Sequence, residues 1–250
     1  MRWFLLVCCL CSLAWGGPVH AQPVRVAVAA NFATPMKLLV RQFEKETGHQ
    51  ALLSIGATAK LYAQIKSGAP FDVFLAADTD TAIRLEQDSA AVPGSRFTYA
   101  TGRLMLWSAR ADMVDAQGDV LRNGNFKHLA LAAPKLAPYG AAAMQTLTRL
   151  GLMDRLRPKL VLGESIGQTY SFVATGNAEL GFVALSQVYE NGQLSKGSGW
   201  LVPAQLHSPL RQDAVLLTRA RDKPAAMALL AFLKTDYSKT VIRSFGYETP

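Results

Sequence analysis

Short apolar runs alternate with stretches of helical spacing along most of the chain. Val24 to Ala30 (VRVAVAA) predicts a strand, and Asn31-Phe32-Ala33 carries it into Thr34-Pro35, a helix start with Thr as cap and Pro in the first turn. Met36, Leu39, Val40 and Phe43 then recur at helical spacing until Gly48 ends the helix. Ala51 to Ser54 is a second strand, Gly56-Ala57-Thr58-Ala59 a turn, and Leu61, Tyr62 and Ile65 the apolar face of the next helix. Phe71 to Ala76 is a third strand, followed by a helix around Thr81 to Gln87. Arg103 to Ser108, Leu129 to Ala132, Lys159 to Leu162 and Ala214 to Thr218 read as further strands. Helices are expected near 141–150, 168–175 and 185–191, then from Lys223-Pro224, and last up to about Phe245-Gly246.

Strands and helices alternating in this way predict an α/β architecture with mainly parallel sheets flanked by helices. Gly94-Ser95 and the segment from Ser208 to Arg211 are candidate crossovers between two lobes. A chain that leaves the first lobe near 100 and returns near 211 forms a two-linker hinge with a cleft between the lobes. The expected division is 22–101 for the first part of lobe 1, 102–210 for lobe 2 and 211–250 for the return segment of lobe 1.

Residues 1–21 stand apart. Arg2 precedes an apolar run from Trp3 to Trp15, and Gly16-Gly17-Pro18 and Val19-His20-Ala21 follow. The run is shorter than the roughly 20 residues that a membrane-crossing helix needs, so it predicts a secretory signal peptide cut after Ala21 and a periplasmic protein. Cys8, Cys9 and Cys11, the only cysteines, leave with it, which excludes thiolate metal sites, disulfides and cysteine nucleophiles from the remainder.

Charge narrows the partners. Without Arg2 the 26 basic residues fall to 25 against 18 acidic ones, about +7 in all. They are scattered, with no run of three and no aromatic-rich motif, so nucleic acid is not the expected partner. A diffuse positive field favours a small anion.

Several strands hand over to helices through small or hydroxyl residues: Ala30-Asn31, Ala57-Thr58, Pro138-Tyr139-Gly140 and Ser165-Ile166-Gly167. Ligands in α/β sheets bind beyond the carboxyl ends of strands, and free N–H groups at helix starts favour anions there. No lysine or arginine lies in these turns, so four of them around a cleft would hold an oxyanion by neutral donors alone. Asn31 and Thr58 can equally be turn or cap residues, and Tyr139 a packed loop aromatic. A rival reading uses Gly163-Glu164-Ser165-Ile166-Gly167, which matches the G-x-S-x-G nucleophile elbow of serine hydrolases, with His207 downstream and Glu179 and Glu190 between. The chain lacks a glycine-rich oxyanion segment to go with it. Asp72 and Asp78 bracket a strand without the facing geometry of an acid-base pair.

With these residues in view, the chain from Val24 onward resembles the periplasmic molybdate-binding proteins of ABC importers, in the branch whose first ligand loop reads ANF. The carriers are VAVAANFATPM, YAQIKSGAPFDVFLAAD, PGSRFTYATGRLMLWS, APYGAAAMQTLTRLGLMDRL, ESIGQ and ELGFVALSQV. The resemblance implies a two-lobe, hinged type II binding protein that is not an enzyme, needs no cofactor, acts as a monomer and passes its cargo to a membrane permease. It implies that Ala30, Asn31, Thr58, Tyr139 and Ile166 bind molybdate or tungstate, the metal being held only as its oxyanion with no protein atom coordinated to it. Backbone N–H groups of Asn31 and Ile166, the Asn31 amide and the Thr58 and Tyr139 hydroxyls are the implied donors. Two departures from the family pattern stand out. Many members place serines in the second loop, where Thr58 is the hydroxyl here, and others supply a tyrosine where Ala184 stands, which leaves Tyr139 as the replacement donor.

Overall fold

A computed structural model describes residues 23–250, and the signal-peptide reading of 1–21 lies outside the described residues. Two five-stranded sheets form the two lobes. The first contains β1 (Val24–Ala29), β2 (Ala51–Gly56), β3 (Val73–Leu75), β4 (Phe97–Gly102) and β12 (Leu210–Leu216), in the order β2-β1-β3-β12-β4. The second contains β5 (Leu104–Ser108), β6 (Leu129–Ala132), β7 (Leu160–Gly163), β8 (Leu180–Ala184) and β11 (Ser198–Leu201), in the order β11-β5-β8-β6-β7. A small hairpin of β9 (Tyr189–Glu190) and β10 (Gln193–Leu194) stands beside them.

Both sheets are mixed rather than mainly parallel. β1 pairs parallel with β2 and β3, and β6 parallel with β7 and β8, but β12 runs antiparallel to β3 and β4, and β5 antiparallel to β8 and β11. The antiparallel strands are those next to the crossovers: β4 passes directly into β5 through Arg103, and β12 returns from the second lobe. Gly94-Ser95, expected as a crossover, lies within the first lobe ahead of β4. The helix expected over 185–191 is a single 3-10 turn, Leu185–Gln187, followed by β9, because Asn191 and Gly192 take positive φ and turn the hairpin.

The helices are α1 (Ala33–Thr47), α2 (Thr58–Lys66), α3 (Asp80–Gln87), α4 (Val120–Asn123), α5 (Pro138–Arg149), α6 (Met153–Leu156), α7 (Ile166–Ala174), α8 (Pro224–Leu233) and α9 (Asp236–Ser244). α1 stops where its pattern stops, at Gly48 with φ 71°, whose N–H donates to the Glu44 carbonyl. Its face of Met36, Leu39 and Phe43 is buried against Val26 and Val28 of β1, with Leu229 of α8 and Ile242 of α9 in the same core. Each such large apolar side chain contributes about 1.5–3 kcal/mol when fully withdrawn from water. The second lobe has its own core, in which Leu104, Leu106, Leu129, Leu131 and Phe182 pack with Leu147 of α5. This second cluster reaches Ala29 and Ala77 at the strand ends of the first lobe, so the two lobes pack against each other beside the cleft.

Candidate functional site

Ala30, Asn31, Thr58, Tyr139 and Ile166 line one small cavity between the lobes. Each arrives through a strand-to-helix turn. β1 ends in the 3-10 turn Ala30–Phe32 ahead of α1, β2 passes to α2 at Thr58, and the loops after β6 and β7 open α5 at Pro138 and α7 at Ile166. The first N–H groups of a helix have no partner within it, and the helix dipole places partial positive charge there. The remaining lining residues are Ala29, Gly56, Ala57, Ala77, Ala137 and Pro138, so no ionised side chain faces the cavity. A wider cleft open to solvent adjoins it, with Asp78, Asp80, Arg84 and Lys135 among its lining residues. Burial there raises the Asp78 carboxyl above its ordinary pKa.

The hydroxyls are poised as donors. Thr58 Oγ1 accepts the Ala77 N–H at 3.1 Å, which leaves its own proton available. Tyr139 is 1% exposed and its oxygen accepts from Gln212 Nε2 at 3.0 Å. Burial pushes the Tyr139 phenol well above its usual pKa, so it stays protonated. Asn31 departs from the expected role of its amide: Nδ2 donates to Gln212 Oε1 at 2.7 Å and to the Tyr247 hydroxyl at 2.9 Å, spending both hydrogens inside the protein. Its Oδ1 is buried without a partner among the described residues. Beside that unpaired oxygen, the donor that Asn31 retains is its backbone N–H at the start of the first turn.

Behind the cavity lies a buried polar layer that the sequence reading did not include. Gln212 Oε1 also accepts from the Tyr99 hydroxyl at 2.9 Å. Tyr247 contacts the Asn31 carbonyl at 3.0 Å and Ser186 Oγ at 2.9 Å, and Ser186 Oγ donates to that same carbonyl at 2.9 Å. The available signal was the polar run Arg211-Gln212-Asp213 directly ahead of the apolar end of β12.

The nucleophile-elbow geometry is absent. Ser165 is the N-cap of α7, and its Oγ accepts the Gln168 N–H at 3.2 Å. His207 Nδ1 sits 2.8 Å from the Ser208 carbonyl oxygen, and Glu179 accepts the backbone N–H groups of Lys127 and His128. No hydrogen bond among the described residues joins Ser165 to a histidine. Asp72, buried, pairs with Lys223 at 2.7 Å and accepts the Arg25 N–H, a structural role.

The sequence profile of bacterial extracellular solute-binding proteins matches residues 24–248. A molybdate-binding protein ModA of Azotobacter vinelandii is 58% identical over 228 residues, covering 91% of this chain and 90% of the relative. The molybdate-binding protein ModA of Rhodobacter capsulatus is 48% identical over 232 residues, covering 93% and 90%. Among solved structures, the periplasmic molybdate-binding protein of Azotobacter vinelandii superimposes with a TM-score of 0.88 at 40% identity, over 91% of this chain and 99% of that one. With two lobes, a donor-lined cavity between them and matches along nearly the whole described length, the chain belongs to the bacterial extracellular solute-binding proteins, in the ModA family.

Proposed function

We propose that this protein captures molybdate, and tungstate with it, in the cavity between its lobes and delivers the anion to the membrane permease of an ABC importer. The observation that carries the reading is the lining of that cavity, which offers hydroxyl and backbone N–H donors from four helix starts and no ionised side chain. Molybdate is fully deprotonated at neutral pH, so a site of donors suits it, whereas a protonated phosphate needs an acceptor. Sulfate is discriminated by size, because donors spaced for longer metal–oxygen bonds would be stretched around it. Ala30, Asn31, Thr58, Tyr139 and Ile166 form the binding set, with no protein atom bonded to the metal. Nothing in this set performs chemistry on the anion, and the protein acts as a monomeric periplasmic carrier rather than an enzyme. Residues 22–101 and 211–250 constitute one lobe and 102–210 the other.

Calorimetric titration with molybdate, tungstate, sulfate and phosphate tests this directly. One-to-one binding of molybdate and tungstate is expected, with sulfate and phosphate far weaker. Thr58→Ala and Tyr139→Phe each remove a hydrogen bond to a charged oxygen and should cost on the order of 1.5–3 kcal/mol of binding free energy. Sulfate affinity equal to that for molybdate would overturn the assignment.

A further inference from the structure

Gln212 is completely buried and lies outside the cavity lining, yet it touches two residues of the binding set. β12 is an interior strand of its sheet, and every residue from Gln212 to Leu216 is buried, so both of its faces are covered. The register shift in its pairing with β4 leaves Tyr99 as the extra residue opposite Gln212 and Asp213. Asp213 meets Arg96 Nη1 and Thr98 Oγ1, each at 2.7 Å. Gln212 faces the other way, toward the ligand cavity.

The polarity of the Gln212 amide is set by its neighbours. Oε1 receives Asn31 Nδ2 at 2.7 Å and lies 2.9 Å from the Tyr99 hydroxyl, which also reaches the Ala76 carbonyl at 3.0 Å, and turning the Gln212 amide over with Asn31 in place would press Nε2 against the Asn31 donor. Nε2 is therefore held toward the Tyr139 oxygen, 3.0 Å away. With a hydrogen already directed at its oxygen, Tyr139 must point its own proton elsewhere. We propose that Gln212 is a positioning residue that makes Tyr139 a donor only, and so turns the site against protonated oxyanions such as hydrogen phosphate by denying them the Tyr139 oxygen as an acceptor. The inference rests on the oxyanion-binding reading above.

The test is a double-mutant cycle between Gln212→Met and Tyr139→Phe, read by calorimetry with molybdate and, in competition, with hydrogen phosphate. Gln212→Met frees the Tyr139 oxygen to accept, and the preference for molybdate over hydrogen phosphate should shrink about tenfold, the equivalent of one charged hydrogen bond. In the Tyr139→Phe background the same substitution should leave the preference unchanged. A merely structural role would lower both affinities alike in both backgrounds, and that result overturns the proposal. Should Gln212→Met fail to fold, Gln212→Glu supplies the same cycle, since a carboxylate accepts from Asn31 and Tyr99 and draws the Tyr139 proton away. Its loss of molybdate affinity should then be larger with the Tyr139 hydroxyl than without it, and equal losses overturn the proposal. If the wild type binds sulfate instead of molybdate, the functional reading fails alone, and the cycle with sulfate still decides the role of Gln212; if it binds phosphate instead, both fall. If the wild type binds none of the four, both fall.

Discussion

Three buried phenols lie at the cavity or in the polar layer behind it, and their ionisation follows from where they lie. Burial raises Tyr99 and Tyr139 well above the ordinary value of 10.0, and raises Tyr247 to about 12 despite hydrogen bonds from its neighbours that pull it down. A phenol whose folded pKa exceeds its unfolded value binds its proton more tightly when folded. Its stabilising effect is complete below pH 10 and is lost as the pH rises through the folded pKa. Stability should therefore fall from about pH 10 towards pH 12, by about 2 to 3 kcal/mol for Tyr247. Denaturant midpoints measured across that range should show the decline, and Tyr247→Phe should reduce its slope; a wild-type curve that is flat to pH 12 would contradict the burial argument. Anion binding, in contrast, should not lose the Tyr139 donor anywhere in the neutral range.

The elements that aim these side chains are constrained by small residues at two close approaches. Gly102 ends β4 one residue before the crossing to the second lobe, and a Cβ there would be driven into the Tyr139 hydroxyl and lie 2.6 Å from Gln212 Nε2. Gly140, in the first turn of α5, leaves room for the Ala132 carbonyl at the end of β6. Gly102→Ala should consequently displace the Tyr139 hydroxyl and reduce molybdate affinity about tenfold, the loss of one charged hydrogen bond, while overpacking costs about 1–3 kcal/mol of stability. Titration and thermal melting on the same sample separate the two effects. Unchanged affinity would mean that the Tyr139 hydroxyl does not reach the anion. The helix starts themselves were visible in the chain, since Pro138 and Pro224 mark first turns and Gly48 marks a stop, all set by local backbone chemistry. The short strands β9 to β11 and the strand over 97–102 were not, because brief polar or mixed runs gain their stability from neighbouring strands rather than from their own pattern.

At the scale of the whole molecule, the lobes meet in a closed arrangement. The Ala59 N–H donates to the Leu136 carbonyl at 3.2 Å, Ser186 Oγ to the Asn31 carbonyl at 2.9 Å, and the Asn191 N–H to the Ser244 carbonyl at 3.0 Å. Lys60 of α2 and Glu164 ahead of α7 form an exposed ion pair at 2.7 Å across the cleft, and Lys60 lowers the Glu164 pKa. A ligand that touches both lobes shifts the population towards this form by its differential binding energy. Small-angle scattering should show a smaller radius of gyration with molybdate than without, and equal radii would show that no closure accompanies binding. Exposed pairs contribute little, so Lys60→Ala should raise the dissociation constant by no more than about fivefold and leave the loaded radius unchanged.

Local chemistry made the α/β class, the two-lobe layout, most of the helices and the four strand-to-helix turns readable from the chain alone. Each depends on residues close in sequence: apolar periodicity, a proline at a first turn, a glycine at a stop, a hydroxyl or small residue at a strand end. The turns that carry Ala30, Asn31, Thr58, Tyr139 and Ile166 were visible for the same reason, whereas naming these five as a binding set came from the family resemblance. What the tertiary structure decided is how their polar atoms are spent. Asn31 and Gln212 are 181 positions apart, and Asn31 and Tyr247 are 216 apart, so no local pattern could show that the Asn31 amide is consumed by this network. Nor could it show that Tyr139 receives a hydrogen from a strand 73 residues away. The burial of both Gln212 and Asp213 belongs to the same class, because only the assembled sheet shows that both faces of β12 are covered. Donor and acceptor roles at a buried site are settled only once every partner is in place, and these partners come from both ends of the chain.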